Sequence, residues 1–294
     1  MNTIKNQKQL DFLQLLRDGI NFKNQVHIDI LNDLDLNFFI YDERKNVFCS
    51  LYEHMMSHLS TTDFINALNN YTGPFVNLDD KLCMAAFSAI EGGDRVLIEY
   101  LLPQITNFDK ENIYLDKDGE YWTAGRTLLL DAIFDLPEEQ NDLFDIILSK
   151  TKNIGKLTNV TYYNGDMGQE NGAHFAAYKL NTYRLSQMYY AGCDFSAKEL
   201  YNNSTPCQAL YASCLSDHKN IALFNSFMLE HEDLLNLELQ QVQKDEISFF
   251  LEQHSEYISD IKNLKNTFNE KKLLKHIIAD NTSEKQKYIK TNKL

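Results

Sequence analysis

The sequence has little proline and little glycine, with 4 Pro and 11 Gly in 294 residues. An all-β chain needs a turn residue at roughly every 8 to 12 positions, and these two residues supply most tight turns. Their scarcity argues against an all-β fold and favours helices. Hydrophobic residues make up 44% of the chain, which is enough for a continuous core and excludes disorder over most of its length.

Long apolar runs are also missing. No segment approaches the roughly 18 uninterrupted apolar residues of a membrane span. Residues 1–20 are polar and mixed in charge, without the apolar stretch of a secretory signal. We therefore expect no membrane span, and a protein that is made and folded in a cytosol.

Paired cysteines are absent as well. The chain has five cysteines, an odd number, and none forms a C-x-x-C pair. In a chain without an export signal this pattern predicts reduced and mostly buried thiols. They are Cys49, Cys83, Cys193, Cys207 and Cys214.

Basic residues are too few to balance the acids: 28 Lys and Arg stand against 42 Asp and Glu, a net charge of -14. This charge opposes binding of nucleic acid or anionic lipid by the whole surface, and we expect a protein partner with a basic or neutral surface. Residues 262–294 differ, with nine Lys and three acids, a net of +6 against -20 for the rest. We expect them to end in a frayed, lysine-rich tail.

One stretch of the chain carries a repeat pattern. Residues 171–177 read N-G-A-H-F-A-A, and residues 188–195 read M-Y-Y-A-G-C-D-F. This resembles the ankyrin repeat, whose first helix opens T-P-L-H-x-A-A and whose second helix is followed by G-A-D. Thr205 and Pro206 open the next unit, 34 residues after Asn171, close to the family period of about 33. The matching positions are His174, Ala176, Ala177, Gly192 and Asp194.

The same template places further openings upstream. They fall at positions 84, 127, 171 and 205, so that the spacings are 43, 44 and 34 residues and two repeats carry about ten extra residues each. Residues 49–59 and 63–71 could form a further, degenerate pair. The resemblance implies a helical solenoid with helix pairs at residues 84–102, 127–150, 174–191 and 206–230.

Packing explains the pattern. Small residues such as Ala89, Ala132 and Ala176 let the first helices of neighbouring repeats approach closely, while larger apolar residues on the second helices fill the space between layers. We expect both ends of the solenoid to be capped by helices. Apolar patterns at 7–20 and 31–41 predict the N-terminal cap, and residues 241–257, 258–268 and 271–279 predict the C-terminal one.

The two insertions each carry a hairpin signal. In residues 112–123 a Lys-Asp-Gly turn separates two β-prone runs, and in residues 158–167 Asn164 and Gly165 form a favoured tight-turn dipeptide. Both insertions fall where ankyrin repeats carry their β-turn fingers. We interpret them as lengthened fingers and expect strand structure to be confined to them.

The fingers also carry the predicted partner-binding residues. Tyrosine and tryptophan supply large rigid contact area and are enriched at interface hot spots. Acidic neighbours would steer a basic partner to the same place. The alternative is that these aromatics pack on one another and stiffen the hairpins. The predicted residues are Tyr114, Asp118, Tyr121, Trp122, Tyr162 and Tyr163.

Three domains are predicted. Residues 1–80 form an N-terminal helical cap that could include the degenerate repeat, residues 81–235 form the ankyrin-like repeats, and residues 236–294 form a C-terminal helical segment with the tail. The fold class is all-α with small hairpin fingers.

Candidate chemistry is sparse. A thiol nucleophile would pair His174 with Cys193 or Cys207, but the resemblance implies a structural His174 that bonds to backbone at the turn. His54 and His58 lie at helical spacing near Cys49, without the accompanying ligands of a zinc site. We expect no metal, no cofactor and no catalysis.

The resemblance implies a protein-binding module. Lysine outnumbers arginine 23 to 5, a bias typical of an AT-rich genome and suggestive of a bacterium. Two roles then remain open: an effector delivered into a host cell, or a cytosolic immunity or adaptor protein that blocks a toxin. An enzyme with its site near Cys49 and His54, or in residues 241–280, is the competing class.

Overall fold

The computed structural model describes most of the chain and shows helices packed in successive layers. The described residues are 7–36, 39–42, 47–72, 78–115, 121–155, 158–161, 167–199, 203–216, 221–244 and 249–291. For β1 to β6 and for the end of the last helix after residue 275, the backbone alone is described, apart from Ser50, Glu111, Thr127 and Glu170.

The elements follow one another along the chain as helices interrupted by three pairs of short strands. They are α1 (Gln7–Asp18), α2 (Gln25–Asn32), β1 (Phe39–Asp42), β2 (Val47–Ser50), α3 (Leu51–His58), α4 (Thr61–Asn70), α5 (Leu78–Glu91), α6 (Arg95–Leu101), β3 (Glu111–Leu115), β4 (Tyr121–Thr127), α7 (Leu128–Asp135), α8 (Asn141–Lys150), β5 (Thr158–Thr161), β6 (Met167–Glu170), α9 (Gly172–Tyr178), α10 (Thr182–Tyr190), α11 (Pro206–Ser216), α12 (Ile221–Glu230), α13 (Glu232–Lys244), α14 (Phe249–Gln253) and α15 (Tyr257–Thr291).

The helices form pairs that stack side by side, which confirms the predicted helical solenoid. The first helices α5, α7, α9 and α11 each contact the next in order, and each packs on the second helix of its own pair. The degenerate pair is present as α3 and α4. Among the described residues, no helix is both long and apolar enough to cross a membrane.

Small residues let the first helices approach. Ala89, Ala132 and Ala176 are all buried, as predicted, and they lie on first helices that contact one another in order. Gly172 is under the tightest constraint, because a Cβ there would lie 2.5 Å from the Met188 Cε and 3.1 Å from the Ile133 Cδ1. The absence of a side chain at Gly172 allows α9 to sit against both α7 and α10.

Two of the pairs share the same turn between their helices. Gly93 has a φ of +65°, and the amide of the following Asp94 donates to the Ala89 carbonyl at 2.9 Å. Leu180 occupies the equivalent place with a φ of +55°, and Asn181 donates to the Ala176 carbonyl at 3.0 Å. The same left-handed helix ending therefore forms from dissimilar residues.

The N-terminal region departs from the sequence prediction. The apolar run at 31–41 was expected to be helical, but α2 ends at Asn32, and β1 and β2 pair antiparallel. The expectation that strands are confined to the two fingers is therefore wrong. A short apolar run is ambiguous between strand and helix by periodicity alone, and pairing with a neighbouring strand decides it.

The expectation that the lysine-rich tail is frayed is also wrong. The last helix continues unbroken from Tyr257 to Thr291, a length of 35 residues. No proline or glycine interrupts it, and lysine, glutamate, glutamine and leucine are good helix formers. Separate helices at 258–268 and 271–279 are thus one helix.

Arg184 ties one pair to the preceding one. It lies on α10 with 1% of its surface exposed, and its guanidinium donates hydrogen bonds to the C-terminal end of α7 and the turn beyond. Helix C-termini present carbonyls without intrahelical donors, and a cation is favourable there. The acceptors are the carbonyls of Ala132 at 2.8 Å, Ile133 at 3.1 Å, Leu136 at 2.9 Å and Pro137 at 2.9 Å, and the Asn141 side chain at 3.0 Å.

We predict that Arg184→Met destabilises the protein by about 3 kcal/mol or more, because buried carbonyls lose their donors. Urea unfolding followed by circular dichroism measures this loss. Arg95→Met is the matched control: Arg95 pairs with Asp142 at 2.5 Å on the exposed surface, where ion pairs contribute little. Equal unfolding midpoints for the two variants would contradict the assigned role of Arg184.

Candidate partner-binding surface

The finger strands lie next to one another. β3 pairs antiparallel with β4, and β5 pairs antiparallel with β6. β4 also contacts β5, so the two insertions are neighbours. We call the set of strands β1 to β6 the finger row. It presents several chain segments side by side along one edge of the helical stack.

The bases of the fingers are fixed to the helices that follow them. β4 runs directly into α7, where the Thr127 hydroxyl accepts a hydrogen bond from the Leu130 amide at 3.4 Å. After β6, the Asn171 side chain accepts from the amides of Ala173 and His174 at 3.1 and 3.2 Å. Each finger therefore ends at a helix N-cap, which fixes its direction relative to the stack.

Two further side chains anchor the segments next to the fingers. The Asn171 side-chain amide donates to the Asp194 carbonyl at 2.8 Å. Asp109, just before β3, accepts from the amides of Lys152 and Asn153 at 3.2 and 2.9 Å. The turn before one finger is thus bonded to the segment that leads to the next.

Three of the predicted contact residues lie on described strands. Tyr114 is on β3 opposite Trp122 on β4, and Leu115 is opposite Tyr121. Partners directly opposite in an antiparallel pair share one face of the sheet, so Tyr114 and Trp122 belong to the same face. Their side chains lie outside the described part of the chain, as do the whole residues Asp118, Tyr162 and Tyr163.

Sequence reasoning missed one component of the finger row. The β1 and β2 pair joins β3 through the register pair Phe48 and Leu115, which makes one sheet in the order β1-β2-β3-β4. The N-terminal segment therefore extends the surface beyond the two insertions. Alternation of polar and apolar residues is weak in 39–50, so the sequence carried little signal for this pairing.

His174 is structural in the described geometry. Its Nδ1 lies 2.8 Å from the Asn171 Oδ1, and its Nε2 lies 3.1 Å from the Ser204 carbonyl oxygen. Burial lowers the pKa of His174 to about 4, although the hydrogen bond to Ser204 opposes this shift. The ring is neutral at pH 7 and links the opening of one repeat to the opening of the next.

The cysteines favour no thiol chemistry. Cys83, Cys193, Cys207 and Cys214 are reduced and buried, as predicted, and the Cys49 side chain lies outside the described set. Burial raises the pKa of Cys193 to about 12 and that of Cys207 well above its usual value. A nucleophilic thiol needs a lowered pKa, so these groups are protonated and unreactive at neutral pH.

The alternative site near His54 and His58 is a contact within one helix. The two rings are 4.0 Å apart on α3, and the His58 Nδ1 lies 2.8 Å from the His54 carbonyl oxygen. Within the described ranges, no group of three or more potential ligands could hold a metal ion.

A buried carboxyl cluster in the C-terminal region was not anticipated from the sequence. Glu238 on α13 is fully buried. It accepts hydrogen bonds from the Thr205 hydroxyl at 2.7 Å, the Tyr257 hydroxyl at 2.8 Å and the Gln208 amide at 3.4 Å. Burial raises the pKa of Glu238 to about 7, although these three donors lower it.

This cluster joins the last repeat to the C-terminal cap. Thr205 and Gln208 also form a reciprocal capping pair at the start of α11: each side chain accepts from the other's amide at 3.2 Å. Glu238, Thr205 and Tyr257 have no exposed surface, so a substrate cannot reach the carboxyl in this arrangement. The predicted active-site alternative in residues 241–280 gains no support from it.

Comparison with known proteins finds similarity at the level of structure. No family model and no curated protein matches the chain. Among solved structures, the chain is similar to the ankyrin repeat domain of Bcl-3, a member of the IkappaB protein family. The sequence identity is 16%, the TM-score is 0.43, and the match covers 71% of this chain and 78% of that one.

His174 and Glu238 predict opposite effects of pH on stability. Below pH 6.5 His174 is protonated in the unfolded chain but not in the folded protein. The free energy of unfolding therefore decreases as the pH falls toward 4. Above pH 4.5 the unfolded chain ionises Glu238 while the folded protein keeps its proton, so stability falls as pH rises toward 7. The two contributions largely offset each other in the overlapping window.

We predict that Glu238→Gln removes the opposing effect of Glu238, so that the pH dependence of stability due to His174 becomes visible. Relative to the natural protein, the variant should gain about 3 kcal/mol of unfolding free energy between pH 4.5 and 7.5. His174→Asn should shift the dependence in the opposite direction. Urea unfolding at a series of pH values measures both changes, and parallel curves for Glu238→Gln and the natural protein would contradict the prediction.

Proposed function

We propose that the protein is a protein-binding module and that its partner docks on the finger row. The contact between β4 and β5 carries this proposal, because it places strands from the two insertions side by side. β3 and β4 carry Tyr114, Tyr121 and Trp122, and in the sequence Tyr162 and Tyr163 directly follow β5. Large aromatic side chains on a firmly held base are typical of interface hot spots.

The anchoring of the finger bases supports the same proposal. A binding surface gains affinity when its elements are held in place before the partner arrives, because less conformational entropy is lost on association. Thr127 and Asn171 fix the two fingers to α7 and α9 through helix caps. The stack thus supplies the rigidity, and the insertions supply the contact residues.

The partner is expected to be basic or neutral. The sequence places Asp116, Asp118, Glu120 and Asp166 within the two insertions. Carboxylates near a binding surface steer a basic partner and raise its association rate, an effect that salt weakens. We therefore expect an association rate that falls as ionic strength rises.

For the biological role, we propose a bacterial protein that works without a cofactor, either an effector acting on host proteins or a cytosolic immunity or adaptor protein that blocks a toxin. Affinity capture with the full chain as bait, from bacterial and host lysates in parallel, distinguishes the two. A host protein captured through the finger row supports an effector, and a bacterial toxin supports an immunity protein. If the protein is instead an enzyme, its catalytic activity should persist after the finger aromatics are replaced by alanine.

Once a partner is in hand, we predict that Trp122→Ala and Tyr163→Ala each weaken binding by more than about 1 kcal/mol. Helicity and melting temperature should change little, since Trp122 lies on β4 and Tyr163 belongs to the second insertion of the sequence rather than to a predicted helix pair. Titration calorimetry gives the affinities, and the fluorescence of Trp122 reports binding directly.

Tyr183→Ala is the control for this test. Tyr183 is an exposed aromatic at the start of α10, outside the finger row, and its hydroxyl donates to the Asp145 carboxylate at 2.7 Å. Its removal should leave affinity unchanged. Unaltered affinity in both finger variants would retire the finger row as the docking surface.

A further inference from the structure

A groove between the last repeat and the C-terminal helix has a different chemistry from the finger row. α12 contacts α15, and between them lies a groove of about 380 Å³. Leu229 and Phe268, both half-buried, form its apolar part, and Lys271, Lys272 and Lys275 line the same groove. We name these five residues the lysine groove.

Helical spacing explains why the lysines converge. Phe268, Lys271, Lys272 and Lys275 follow one another at intervals of three, one and three residues on α15, which places them on one face of the helix. α12 covers the other wall. A cationic rim on an apolar floor therefore arises from one stripe of a single helix against its neighbour.

The charges of the groove are only partly compensated. Glu230 also lines it, and Lys272 reaches the Glu232 carboxylate at 3.6 Å. The Lys265 Nζ lies 3.1 Å from the Glu232 Oε1, so Glu232 forms ion pairs with two lysines. Lys271 and Lys275 are exposed at the rim. The groove is thus locally positive in a chain whose net charge is -14.

We propose that the lysine groove binds an acidic amphipathic segment of a partner protein, with an apolar side chain on Leu229 and Phe268 and carboxylates on the lysine rim. Charge complementarity carries the proposal. Salt screens charges beyond a Debye length of about 8 to 10 Å, so a short acidic segment in the groove is attracted mainly by the lysines that line it. An anionic membrane or a nucleic acid duplex instead meets the strongly acidic body, and neither flat bilayer nor duplex enters a concave groove.

This site is separate from the finger row in position and in charge preference. It lies at the C-terminal end of the stack, on α12 and α15, and selects an acidic segment, whereas the finger row is expected to select a basic or neutral surface. The protein would then hold two partners, or two parts of one partner, at once. A negative result at the lysine groove therefore leaves the finger-row proposal standing, and the reverse also holds.

The test uses a synthetic helical peptide of about twelve residues with Asp and Glu around a Leu-Phe pair. A second peptide carries Asn and Gln in place of the acids, and a third carries Ser in place of Leu and Phe. Fluorescence anisotropy with the full chain measures the three affinities at low and high salt. We expect the acidic amphipathic peptide to bind roughly tenfold or more tightly than either of the others, with an affinity that falls as salt rises.

The variant Lys271→Glu/Lys275→Glu should weaken the acidic peptide by roughly tenfold or more. Lys244→Glu/Lys262→Glu is the matched control, because it makes the same change in net charge at two exposed lysines outside the groove. It should alter affinity by less than about threefold. Melting temperatures of both variants verify that the fold is kept.

Three results would overturn the proposal: equal binding of the acidic and amide peptides, equal loss in the two double variants, or binding to vesicles of phosphatidylglycerol and phosphatidylcholine without binding to the acidic peptide. Self-association of the free chain that Lys271→Glu/Lys275→Glu abolishes would assign the groove to a second copy of the chain instead and would likewise overturn the proposed partner segment. Sedimentation velocity detects that case.

Discussion

The close approach of the first helices is the constraint on which the rest of this structure depends. Ala89, Ala132 and Ala176 are buried on α5, α7 and α9, which contact one another in order, and a Cβ on Gly172 would force the end of the Met188 side chain to move. This approach sets the distance between successive helix pairs. Because each finger enters the helix that follows it through an N-cap, the same distance also sets how close the fingers lie.

Buried polar groups then connect the layers. The Arg184 guanidinium joins α10 to the end of α7, His174 joins two repeat openings, and Glu238 joins the last repeat to the C-terminal cap. A buried polar group is costly without partners, so each of these links depends on an arrangement that satisfies it. Such links help to specify one register of stacking, which apolar contacts alone would leave less well defined.

The two proposed binding surfaces differ in origin. The finger row arises from insertions between the helix pairs, and it is held by the caps at Thr127 and Asn171. The lysine groove arises from the packing of α15 against α12, where one stripe of a helix is cationic and its floor is apolar. Opposite charge preferences at the two places would allow the protein to bring a basic surface and an acidic segment together on one scaffold.

The sequence by itself determined the helical class, the periodicity of the pairs and the small residues at their contacts, because these depend on local spacing and composition. The repeat template placed the pairs at 127–150, 174–191 and 206–230 within about two residues of the observed helix ends, whereas the first pair begins at Leu78 and not at 84. Tertiary structure decided the rest. Whether 39–42 and 47–50 became strands depended on their pairing with each other and with β3, and the Arg184 and Glu238 side chains bond to residues 19 to 52 positions away along the chain. The lysine groove likewise exists only because α15 continues as one helix across α12, since no local pattern states which face of a helix its neighbour will cover.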